Sequence, residues 1–145
     1  MINVTVITKA LQAIFKASED AQDFKAIERS NIPNRDMGHT PWLGIYRSKV
    51  EYDPHTIGSG RSWKAQVEII LLLQVATFES GEASEELLEE QLQKVQQILL
   101  ANKKVGNTVD QLVSMSVEYF FNNESDESFN YQQAEVTVTY EVRTQ

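Results

Sequence analysis

From Trp63 to Leu73 every odd position is apolar: Trp63, Ala65, Val67, Ile69, Leu71 and Leu73. The even positions begin polar, at Lys64, Gln66 and Glu68, and then turn apolar at Ile70 and Leu72. Strict alternation describes a β-strand with one wet face. Here the wet face gives out halfway. The later half of the strand must be covered on both sides, by helices or by another subunit. That requirement points to a small domain built to assemble.

The strand is the second arm of a long hairpin. Trp42 to Tyr52 forms the first arm, with Trp42, Tyr46, Val50 and Tyr52 expected on one face and Leu43, Ile45, Arg47 and Lys49 on the other. The connection Asp53–Arg61 is too long for a two-residue turn, and Pro54, Gly58 and Gly60 predict a mobile tip. Ahead of the hairpin, Ile7, Ala10, Leu11, Ile14 and Phe15 recur at helical spacing and predict a helix from about Thr5 to Ala17, capped by Asn3 or Thr5. A weak strand around Phe24 to Arg29 and a loop through Asn31–Pro41 follow.

After the hairpin, Leu88, Leu92, Val95 and Leu99 mark a second helix. Ser84 is its expected N-cap and Gly106 its expected stop. Glu85, Glu86, Glu89 and Glu90 form its wet face. Two alternating strands close the chain, Val113–Phe121 and Ala134–Val142, separated by the acidic loop Asn122–Asn130. The order α–β–β–β–α–β–β argues an α+β fold, a mainly antiparallel sheet of four to five strands with two packed helices. The 145 residues fit one such domain.

The chain has no cysteine, which removes thiol catalysis, disulfides and cysteine metal sites. No apolar run approaches the roughly 20 residues that span a bilayer, so no membrane association is expected. No basic segment followed by an apolar one opens the chain, so no secretory leader is expected. Residues 1–78 carry 9 Lys/Arg and 8 Asp/Glu, whereas residues 79–145 carry 4 and 13. Such an acidic half repels free nucleic acid and suits head-to-tail contact with the near-neutral half of another copy.

The two histidines, His39 and His55, fall in loops and in no metal-binding or nucleophile-activating motif. Gly58-Ser59-Gly60 lacks the lysine of a phosphate loop. Glu124, Asp126 and Glu127 carry oxygen ligands, but not at the spacing of a calcium loop, and read as a solvated acidic loop. No acid–base pair, nucleophile or cofactor fingerprint is legible, so neither catalysis nor a cofactor is expected.

Three segments carry a resemblance to a known family. They are the P-x-(apolar)-x-(apolar)-Y strand in Pro41 to Tyr52, the W-x-A-x-(apolar)-x-I strand in Trp63 to Ile69, and the strand from Ala134 to Glu141. With the short N-terminal helix, their order and spacing resemble the phage tail terminator proteins of the lambda minor tail protein U type. The resemblance implies a structural virion protein that forms a hexameric ring on the head-proximal end of the tail tube. Such a ring stops tube polymerisation and offers a surface for head attachment. The implied partners are further copies of the chain, the tail tube protein and a head-completion or neck protein. DNA passes through the ring without sequence-specific binding. The implied location is the virion tail, after assembly in the host cytoplasm.

Charge and loop position nominate the assembly contacts. Arg35, Arg47, Lys49, Arg61 and Lys64 gather on and around the hairpin, and Glu124, Asp126 and Glu127 sit in the acidic loop. Two other readings remain at this stage: another head–tail joining or tail-completion protein, and a small ligand-binding or enzymatic α+β domain.

Overall fold

Asn3 caps the first helix: its side-chain oxygen accepts from the Thr5 backbone N–H at 3.1 Å. Helix α1 (Val4–Ala17) then buries Ile7, Leu11 and Phe15, residues four apart on one stripe. The computed structural model describes residues 2–32, 37–53, 63–77, 79–121 and 130–144. The strands are β1 (Ala26–Glu28), β2 (Trp42–Tyr52), β3 (Trp63–Thr77), β4 (Gln111–Phe121) and β5 (Asn130–Thr144), with helix α2 (Gly81–Ala101) between β3 and β4.

The fold is α+β. Among the described residues five strands form one sheet in the order β1-β2-β3-β5-β4. In this sheet β1 runs parallel to β2, and the pairs β2–β3, β3–β5 and β4–β5 are antiparallel. The central strand β3 pairs with β5 from Trp63↔Thr144 to Thr77↔Asn130 without a register shift. Among the described residues no helix is long and apolar enough to cross a membrane.

Both helices contribute to one core on one side of the sheet. Ile7, Leu11 and Phe15 from α1 and Leu88, Leu92, Val95 and Leu99 from α2 join Val67, Ile69, Leu71 and Leu73 of β3. Val136, Val138 and Tyr140 of β5 complete it. Each fully buried large apolar side chain contributes roughly 1.5–3 kcal/mol. The helical stripes and the odd positions of β3 therefore lie where alternation and spacing put them.

The structure corrects four local expectations. Helix α2 is capped by Ser80, whose side chain accepts from the Ala83 N–H at 3.1 Å. Ser84 lies inside the first turn, buried, with its hydroxyl donating to the Gly81 carbonyl at 2.8 Å. At the other end the helix stops at Ala101, with Asn102 as its cap. Gly106 serves the following turn, where Val105, Gly106 and Asn107 all have positive φ.

In β2 the register to β3 shifts between Arg47 and Lys49. The extra residue reverses the alternation. Val50 and Tyr52 consequently pair with Val67 and Ala65 on the helix side, while Lys49 pairs with Glu68 on the open side with Tyr46. A second shift, between Leu112 and Ser114 of β4, turns Leu112 to the core and leaves Val113 46% exposed.

The tip at 54–61, the acidic loop residues 122–129 and part of the loop before β2 lie outside the described residues. Arg35, Arg61, Glu124, Asp126 and Glu127 fall there, as does His55.

Candidate functional site

The sheet face opposite the helices carries organised polar side chains. It is built as rows across β2, β3, β5 and β4. Lys49, Glu68, Thr139 and Ser114 form one row, and Tyr46, Ile70, Thr137 and Ser116 form the next. A depression of about 290 Å³ lies on this face among Lys49, Glu68, Ser114, Ser116, Thr137 and Thr139.

The expected second cover for the end of β3 is partly supplied by the chain itself. Leu72 is buried on this face, and Ile70 is half-buried. Leu72 pairs with Gly44, and the Trp42 indole and the Ser30 carbonyl lie over that glycine. Gln74, one row further, is also buried; its amide nitrogen donates to Tyr131 Oη and to Gln133 Oε1.

Three of the nominated contacts are described. Arg47 is exposed at the bulge in register with Ile69, so it does not share a face with Lys49 as alternation suggested. Lys49 Nζ lies 3.0 Å from Glu51 Oε1 and 3.7 Å from Glu68 Oε2. Its ammonium is held above the usual lysine range chiefly by the hydrogen bond to Glu51. Lys64 Nζ lies 2.8 Å from Glu141 Oε1.

Glu141 was not legible as a site residue, yet it organises this end of the sheet. Its side chain is only 6% exposed. It accepts from Lys64, from Arg143 Nε at 3.2 Å and from Gln111 Nε2 at 2.9 Å. The Lys64 hydrogen bond outweighs burial and keeps the carboxyl below the usual glutamate range. Tyr46 forms the other polar anchor: Oη donates to Glu135 Oε1 at 3.3 Å. Burial, reinforced by the Glu135 charge, pushes the Tyr46 hydroxyl up to about 12. Both glutamates lie in alternating strand sequence, and apart from Arg143 their polar partners come from other strands: Lys64 and Gln111 for Glu141, Tyr46 for Glu135.

This face carries paired charges, hydroxyls and the Tyr46 phenol. Among the described residues no three His, Asp or Glu side chains converge to hold a metal ion. His39 is exposed, in a short turn ahead of β2. No known family model matches this chain, and no curated protein matches it either.

Proposed function

We propose that this protein is a tail terminator: a structural virion protein that closes into a ring, most simply a hexamer, on the head-proximal end of a phage tail tube. The observation that carries the reading is where the three resembling segments fall. Pro41–Tyr52, Trp63–Ile69 and Ala134–Glu141 lie on β2, β3 and β5, which are neighbours at the centre of the sheet. Motifs far apart in sequence are thus side by side, together with the open face they build.

A ring needs a head-to-tail interface that closes. The charge asymmetry between residues 1–78 and 79–145 suits such contacts, and the open sheet face supplies a surface without a helix over it. Lys49 and Lys64 already have partners within the chain, so Arg47 is the described nominated cation best placed to serve a neighbour. The tube protein would meet one side of the ring and a neck or head-completion protein the other, with DNA passing through the lumen. Electron microscopy of tail tubes incubated with the purified protein tests this. A sixfold ring at one tube end supports the reading; protein bound along the tube wall, or not at all, contradicts it.

A further inference from the structure

The sheet ends on one side at β1, three residues long, and on the other at β4, eleven residues long. Among the described residues β4 pairs only with β5. Its sequence, QLVSMSVEYFF, holds one charge and no proline. Edges of this length are ordinarily blunted by lysines, prolines or a covering element. Among the described residues the edge carries the bulge at Val113 and the single charge of Glu118; from Ser114 onward the ladder to β5 is regular.

The core is unfinished at this edge. Met115 and Val117 face the helix side, opposite Val138 and Val136, and are only half-buried. Tyr119 is 49% exposed, with its hydroxyl donating to Glu89 Oε1 of α2 at 2.5 Å. The helix-side residues of β4 thus present an apolar stripe that stops at the last strand.

We propose that this edge is a pairing surface for a second copy, β4 against β4 antiparallel, with the two-fold axis at Val117. Opposite residues of an antiparallel pair share one face of the sheet. With Val117 opposite itself, Met115 meets Tyr119, Ser116 meets Glu118 and Ser114 meets Phe120. Every helix-side residue from Met115 to Tyr119 then has an apolar partner, and a thioether against an aromatic ring is a favourable pair. The single charge of the strand faces a hydroxyl. An axis at Glu118 would set two carboxylates face to face, and an axis at Ser116 would leave only Ser114–Glu118 in a regular ladder before the bulge, against Ser114–Phe120 for the axis at Val117. The contact is isologous and stops at two copies, so it is separate from a head-to-tail ring and neither depends on the other.

Ser116 is exposed in the single chain, and each axis gives it a different neighbour. Sedimentation of the full chain over a wide concentration range, compared with Ser116→Glu and Ser116→Lys, reads the register directly. The proposed pairing creates two like-charge contacts with Glu118 of the other copy in the first variant and two opposite-charge contacts in the second. Dimer affinity should fall with Ser116→Glu and rise with Ser116→Lys, each by about two- to thirty-fold. A second reading uses the absence of native cysteine: Val117→Cys should oxidise to a disulfide dimer, whereas Gln93→Cys on the exposed side of α2 should not. A wild-type chain monomeric at every concentration, charge variants that both weaken pairing, or equal cross-linking of the two cysteine variants would each overturn the proposal.

Discussion

Trp42 lies across Gly44. A methyl group at Gly44 would collide with the indole ring and stand 2.8 Å from the Ser30 carbonyl oxygen. The glycine is required here by space and not by backbone conformation. Its missing side chain lets Trp42 turn along the sheet beside the buried Leu72. Gly44→Ala should therefore destabilise the fold by about 1–3 kcal/mol through overpacking. Thermal unfolding followed by circular dichroism checks this, and an unchanged melting temperature would show that the ring can move aside freely.

The Glu141 cluster should make stability depend on acid. Lys64, with help from Arg143, holds the folded carboxyl below its usual range. The unfolded chain then binds the proton more readily than the folded one. This contribution is complete above about pH 5 and is lost as pH falls through and below about 4. Glu141→Gln should cost about 1–3 kcal/mol at neutral pH, with Lys64 and Arg143 left facing a neutral amide. The gap between variant and wild type should narrow in urea titrations at pH 3.5. A gap that widened in acid would reverse the sign of the argument.

Tyr140 offers the opposite case. It is fully buried on the helix side of β5, and its hydroxyl has no hydrogen-bond partner among the described residues. Burial raises its ionisation well above the usual tyrosine range. Removing a buried polar group that lacks a partner relieves a desolvation cost. Tyr140→Phe should leave stability unchanged or raise it by up to about 1 kcal/mol. Measured loss of stability would mean that the hydroxyl is bonded in solution.

Leu92 is 2% exposed and joins α2 to the core of the sheet. Leu92→Ala should cost about 2–5 kcal/mol, the range for a buried leucine that leaves a cavity. Equal unfolding midpoints in denaturant for mutant and wild type would place this helix face at the surface.

What was legible in the sequence is what periodicity controls. The stripes of α1 and α2, the extent of β2, and the pairing of β4 with β5 follow from spacing that local physics enforces. What was hidden depends on single residues acting across strands. Nothing in the sequence around Ser48 or Val113 announces a bulge, yet each reverses the facing of the residues beside it. Ser84 is a sound cap by composition, yet the Ser80 side chain accepts from the Ala83 N–H and Ser84 lies buried inside the first turn. Glu141 is one of many glutamates until Lys64 and Gln111 are brought to it by β3 and β4.

In the proposed function the protein ends tube growth. This is read from the length of tail tubes polymerising from purified tube protein, measured by electron microscopy before and after the chain is added at about one ring per tube end. The account predicts that elongation stops on addition and that tube lengths stay fixed while free tube protein remains. Tubes that continue to lengthen at the original rate would contradict it.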